Sequence, residues 1–274
     1  MKPPTRRQEW FDDDAFWRDC YQFMFPEKRF AEARELVGKA LALAKPPGRC
    51  VLDLCCGPGR WAIPLAQRGL SVTGVDRTRF LLDTAKRKAR AVQVKIEWVQ
   101  ADMRDFVRPV SFDLALSLFT SFGYFDDKQE DLGVLRNVLA SLKPAGVFLM
   151  DMMGKEILAR IFQPTTSEVL PDGNRFVERH QILDGWTRVR NEWMLIRPGR
   201  VKTFRFHHTI YSGQELRDRL DAAGFADVKL YGNWNGDEYG PTAQRLIAVV
   251  RKAGIERRNR RRQVRSRTAT RDSG

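Results

Sequence analysis

An alternation constrains this chain more than any other feature. Between residues 49 and 153, short apolar runs take turns with runs of helical periodicity. "CVLDL", "SVTGVD", "KIEWVQAD", "FDLALSL" and "GVFLMDM" read as strands. Residues 60 to 68, "RFLLDTAKRKAR" and "KQEDLGVLRNVLASL" read as helices. Strands separated by helices in this rhythm form βαβ units, which require a largely parallel sheet with helices on both faces.

The flanks follow other patterns. From residue 10 to about 45 the chain is helical, with Phe30, Ala33, Leu36, Val37, Ala40 and Leu41 recurring on one face. Pro26 starts the second of two helices there, and Pro46-Pro47-Gly48 stops it. Three strand-like runs, "RFVERHQIL", "TRVRNEWMLIR" and "VKTFRFHHTIY", fill residues 175 to 211. The turn pairs Asp184-Gly185 and Pro198-Gly199 join them, predicting a small antiparallel sheet with one exposed face. "SGQELRDRLDAAGF" resumes as a helix with Ser212 as N-cap, and "DVKLYG" and "QRLIAVVRK" close the chain's folded part as strands.

The formal net charge of +14 suggests nucleic acid until its distribution is considered. Residues 251 to 274 hold ten Lys/Arg against Glu256 and Asp272, or +8, so the other 250 residues carry only +6. The tail "ERRNRRRQVRSRTATRDSG" has too little apolar surface to fold and is expected to be disordered, with weak, salt-sensitive attraction to polyanions. No apolar run reaches the length of a membrane span, and the first residues lack a secretory pattern, so a cytoplasmic protein is expected. The four cysteines, Cys20, Cys50, Cys55 and Cys56, lack metal-ligand spacing, and all three histidines lie beyond residue 179. Reduced thiols and no metal are expected.

The turn in "VLDLCCGPGRWAIPLA" is where a parallel sheet places a ligand, beyond the carboxyl ends of its strands. Gly57 and Gly59 allow a tight turn and close backbone approach, and the next helix offers free N–H groups. Asp53, at the end of the first strand, would repel a pyrophosphate and suits a ligand with a cationic amino group. Asp76 ends the second strand, where it can accept both ribose hydroxyls. Asp102 follows the third, where it can accept an adenine amino group while Met103 packs on the ring. Three acids at three successive strand ends describe a cationic adenosine ligand, S-adenosyl-L-methionine.

These segments, with "VTGVDRT", "VQADMRDF", "FDLALSLFTSFGYF" and "LKPAGVFLMD", resemble the class I S-adenosylmethionine-dependent methyltransferases over most of residues 30 to 252. The resemblance implies an α/β, Rossmann-like doubly wound sheet of seven strands, mostly parallel with the last strand antiparallel, plus a small antiparallel β insertion. It divides the chain into N-terminal helices capping the cofactor site (1–48), a core (49–153 and 211–253), an insertion serving as substrate lid (154–210) and the basic tail (254–274). Ordinary amphipathic packing is the other reading of the N-terminal helices.

By the same resemblance, Asp53, Gly57 and Gly59 would hold the methionine end, Asp76 the ribose, and Asp102 with Met103 the adenine, with Cys55 and Arg77 also among the cofactor-binding residues. Leu118 and Phe119 would line the sulfonium side. Cys55 replaces the first glycine of the usual Gly-x-Gly-x-Gly. The acceptor wall would comprise Phe119, Phe122, Tyr124, His208, Trp234 and Tyr239, and His207 and His208 are the candidates for a base. The loop "SLFTSFGYF" lacks the proline of DNA amine methyltransferases, and no cysteine follows Cys56 to serve as a cytosine C5 nucleophile. The expected activity is methyl transfer to nitrogen or oxygen of a small-molecule acceptor, leaving S-adenosyl-L-homocysteine. An RNA methyltransferase docking through its tail and a non-catalytic cofactor-binding protein are the alternatives; the sequence leaves the oligomeric state open.

Overall fold

The computed structural model describes residues 9–254. The basic tail expected to be disordered lies outside the described residues from 255 onward. Seven strands form the main sheet: β1 (Cys50–Leu54), β2 (Ser71–Asp76), β3 (Glu97–Gln100), β4 (Phe112–Ser117), β5 (Leu142–Met152), β10 (Ala226–Tyr231) and β11 (Leu246–Arg251). Their order is β10-β11-β5-β4-β1-β2-β3, with β11 antiparallel to both its neighbours and the remaining pairs parallel. The order reverses direction between β1 and β4, which puts the switch-point crevice at their carboxyl ends. The expected seven-stranded, doubly wound architecture is the one found.

Period-two alternation assigns each strand residue to one of two cores. Val51, Leu114, Leu116, Val147, Leu149, Ile247 and Val249 face α3 (Glu27–Ala44) and α4 (Ala62–Gln67). Their sequence neighbours Leu52, Ala115, Phe148, Met150, Leu246 and Ala248 face α6 (Lys128–Ser141) and α8 (Gly213–Ala223) on the opposite side. α5 (Arg79–Ala91) joins β2 to β3. Ser212 caps α8 in a reciprocal box with Glu215, as its hydroxyl and the spacing to the glutamate require.

The insertion holds four strands, not three: β6 (Thr165–Val169), β7 (Arg175–Leu183), β8 (Arg188–Arg197) and β9 (Arg200–Thr209). β6, "TTSEV", is an edge strand with little burial, so no apolar alternation marks it. α7 (Lys155–Ile161), also unforeseen, leads into it. Phe176, Leu195 and Phe206 from the inner face of this sheet form a third core with Phe16 and Cys20. Those two residues come from the N-terminal segment, a 3-10 turn at 10–12 followed by α1 (Asp14–Asp19) and α2 (Tyr21–Met24). The long first helix expected there is broken at Cys20, so its aromatic residues spread over the lid sheet. Asp19 pins the contact with ion pairs to Arg197 and Lys202, at 3.0 and 2.6 Å.

Among the described residues no helix is long and apolar enough to cross a membrane, and no cluster of His, Cys, Asp and Glu could hold a metal ion. All four cysteines are free thiols.

Candidate functional site

A cleft of about 1130 Å3, counting its open mouth, lies at the carboxyl ends of β1, β2 and β4. Asp53, Asp76 and Asp102 all line it, together with Cys55, Gly57, Arg77, Met103, Leu118, Phe119 and Tyr124.

Each strand-end acid has its own environment. Asp53 is 3% exposed, and its Oδ2 has no hydrogen-bond partner among the described residues. Burial pushes its carboxyl up to about 7, against the pull of the Arg60 charge and the Ala62 amide. Arg60 is 7% exposed, and one of its terminal nitrogens, NH1, is equally without a partner. Burial lowers this guanidinium to about 10. Buried polar atoms are nearly always satisfied, so two orphans of opposite sign in one cleft mark places for a ligand's own charges.

Asp76 is tied to the backbone. It accepts from Gly57 N at 2.9 Å and Thr78 N at 2.8 Å, which braces the glycine turn against the end of β2. Burial raises its carboxyl, and these amides oppose the rise. Asp102 is engaged by the Arg104 guanidinium at 2.8 Å and Arg77 at 2.9 Å, and Arg77 also pairs with Asp12. The carboxylate expected to meet an adenine amino group therefore sits in an ion-pair network. Part of that network holds the 3-10 turn, with Phe11 under Arg77, over the cleft.

Cys55 shows why the usual residue is glycine, because its φ is 61°, in the left-handed region. Its Sγ lies 3.6 Å from the Met103 sulfur, and burial raises its thiol well above the usual range. It is wall, not nucleophile. Gly59 does not reach the cleft. A side chain there would meet Ile63, Trp98 and Ala85, so its role is close packing of helix against strand.

Several acceptor-wall expectations are corrected by packing. Phe122 is 2% exposed and packs on Tyr211 in the core. Trp234 packs behind Trp61, with centroids 5.4 Å apart. Tyr239 packs on Gly154 and Gly213 and donates to Glu156 at 2.8 Å. None of the three lines the cleft. His207 binds Asp126 at 2.6 Å on the outer face of the lid sheet. His208 lies behind Tyr124, 5.2 Å between rings, and bonds Asn191 at 3.1 Å. Burial drops His208 to about 4, so it is neutral at pH 7, and it does not face the cleft.

Sequence reasoning missed Trp10, Phe11, Trp17, Arg29, Arg60 and Thr120 on the cleft wall. Arg60 directly follows Gly59 and was legible; the N-terminal residues announce a helix but not which neighbour it covers. The "SFGYF" loop is shaped by its glycine: Gly123 (φ +99°) accepts Thr209 N at 2.7 Å, and a Cβ there would collide with the Thr209 carbonyl. This contact joins the lid to the rim of the cleft.

Comparison with known proteins agrees with this geometry. Residues 51–146 match a family described as a methyltransferase domain. A putative methyltransferase of Geobacillus is 24% identical over 248 residues, covering 88% of this chain and 99% of its own. An S-adenosylmethionine-dependent methyltransferase from Clostridium acetobutylicum superposes with a TM-score of 0.71 at 17% identity, covering 88% and 97% of the two chains. The sugar N-methyltransferase KedS8 from Streptoalloteichus gives 0.65 at 22%, covering 92% and 96%. Residues 51–146 thus match a methyltransferase domain, and the chain has the fold of solved S-adenosylmethionine-dependent methyltransferases.

Proposed function

We propose that the chain methylates a nitrogen or oxygen of a small-molecule acceptor bound in the same cleft as the cofactor. The observation that carries this reading is the pair of orphaned, oppositely charged groups, Asp53 Oδ2 and Arg60 NH1, at the end of β1. They match the ammonium and carboxylate of an amino-acid moiety, and Asp76 at the next strand end matches a ribose. Cys55, Gly57 and Met103 give the wall between them, Arg77 and Asp102 close the adenine side, and Leu118 and Phe119 bound the transfer side.

When bound, the cofactor supplies an already activated methyl on a sulfonium. The protein's share is then mainly to position the acceptor in line and to exclude water. Trp10, Phe11 and Trp17 do the excluding, so residues 9–48 serve as the cap and 154–210 as the lid that supports it. Tyr124 lines the cleft, and burial pushes its hydroxyl up to about 12, so at neutral pH it keeps its proton, can donate a hydrogen bond to an acceptor and does not act as a base. The likeness to a sugar N-methyltransferase over nearly the full length supports an acceptor of metabolite size.

The test is incubation of the full chain with labelled S-adenosylmethionine and a fractionated metabolite extract, with products identified by mass. A labelled small molecule is expected. Label in RNA alone, or binding of S-adenosylhomocysteine with no labelled product in any fraction, would overturn the proposal.

A further inference from the structure

Three guanidinium groups approach the ring of Phe119 at the transfer side of the cleft. Arg60 Cζ lies 3.8 Å from the ring centroid, Arg29 4.9 Å and Arg245 5.6 Å. Their charges are answered unequally. Arg245 is neutralised by Asp151, through bonds of 2.6 and 2.9 Å. Arg60 faces Asp53, and both are accounted for by the amino-acid end of the cofactor under the reading above.

Arg29 is left over. It sits in the first turn of α3, lines the cleft, and donates one bond, from NH1 to the Met24 carbonyl at 2.9 Å. Among the described residues no carboxylate pairs with it; Glu168, Glu32 and Glu178 act on it only from a distance. Burial lowers its ordinary value, against the pull of those three glutamates. A ligand carboxylate that reaches this half-buried cation gains a charge-assisted bond that water screens less than at the open surface. Beside it are Met24 and the rings of Phe119 and Phe23, at 4.9 and 6.0 Å, and the cleft it lines is walled largely by apolar side chains.

We propose that Arg29 anchors the acceptor, and that the acceptor is an apolar, aromatic-sized molecule bearing a carboxylate. One guanidinium with an open edge matches the two oxygens of a carboxylate, whereas a phosphate dianion would bring more charge than one free cation answers. The inference rests on the methyl-transfer reading of the cleft.

The test uses the full chain saturated with S-adenosylhomocysteine, titrated by calorimetry with benzoate, benzamide and phenyl phosphate. Benzoate is expected to bind at least tenfold more tightly than its neutral isostere benzamide and more tightly than phenyl phosphate. Arg29→Gln is expected to abolish the benzoate preference and Arg29→Lys to retain part of it, with S-adenosylhomocysteine affinity within threefold of the parent in both. Equal binding of benzoate and benzamide to the parent, no binding of either, or a preference that survives Arg29→Gln would overturn the proposal. Tighter binding of phenyl phosphate would overturn the carboxylate. Failure of S-adenosylhomocysteine itself to bind would instead overturn the reading of the cleft.

Discussion

The two walls of the cleft are built on different terms. The sheet wall presents carboxylates and backbone amides at the ends of β1 and β2, each fixed by its strand and the following turn. The lid wall presents aromatic rings of the N-terminal cap, held in turn by aromatic rings that include those of the lid sheet. Trp10 stacks on Phe206 at 4.5 Å and meets Phe16 edge-on at 4.8 Å, and Phe23 stacks on Phe176 at 4.0 Å. A polar wall can recognise one invariant ligand through directed hydrogen bonds. An apolar wall selects by shape and can change without disturbing the other.

Asp76→Ala should break the sheet wall with the largest effect. It removes the proposed ribose acceptor and orphans the buried amides of Gly57 and Thr78. Each orphan costs ~1–3 kcal/mol. Calorimetry should show a fall in S-adenosylhomocysteine affinity of about 1,000-fold, or ~4 kcal/mol. Binding within threefold of the parent would remove Asp76 from the site. Phe16→Ala should break the lid wall instead. Phe16 is fully buried against Trp10, Trp17, Trp193, Phe204 and Phe206. Its truncation should cost about 3 kcal/mol in urea unfolding. Cofactor affinity should fall only about tenfold, by loosening of the cap. An affinity loss equal to that of Asp76→Ala would show that the walls do not act separately.

The same division explains what could be read from the sequence. Asp53, Asp76 and Asp102 were legible because each ends or follows a short apolar strand, and the end of a strand is a local property. The lid was not. Trp234, Tyr239 and Phe122 were placed in the cleft because they are aromatic and lie in nearby loops, but each points where tertiary packing sends it, to Trp61, Gly154 and Tyr211. β6 was missed because an exposed edge strand shows no alternation. Arg29 was passed over because a lone arginine in a helix's first turn looks like solvated charge until its neighbours are known. The seven-stranded sheet followed from periodicity and resemblance together; the direction of individual lid side chains followed from neither.

A pH titration sharpens the sheet wall. Only ionised Asp53 can hold an ammonium, and burial places its carboxyl at about 7. S-adenosylhomocysteine affinity should fall about tenfold per unit as pH drops below 7, level off above it, and lose that slope in Asp53→Asn. Stability moves the other way. The folded value lies above the unfolded 3.8, so the folded state binds the proton more tightly, and ionising Asp53 lowers stability as pH rises from about 4 to 7. The asparagine variant should gain stability relative to the parent across that window. An unchanged affinity slope would place the titrating group elsewhere.

The smallest effect is expected where a residue belongs to neither wall. Tyr239→Phe removes one hydroxyl, whose bond to Glu156 at 2.8 Å ties α7 to the loop before β11. Such a bond is worth about 1 kcal/mol, so thermal unfolding should register a small loss while cofactor affinity stays as it was. Tyr124→Phe makes the matching change inside the cleft. Its hydroxyl is not engaged in the cores that hold the lid together, so stability should hardly move, and the KM for the acceptor should rise while S-adenosylhomocysteine binding does not change. If the two substitutions exchanged these signatures, Tyr239 would belong to the acceptor wall after all, and the boundary drawn here between cleft and scaffold would have to shift to include the loop at 232–240.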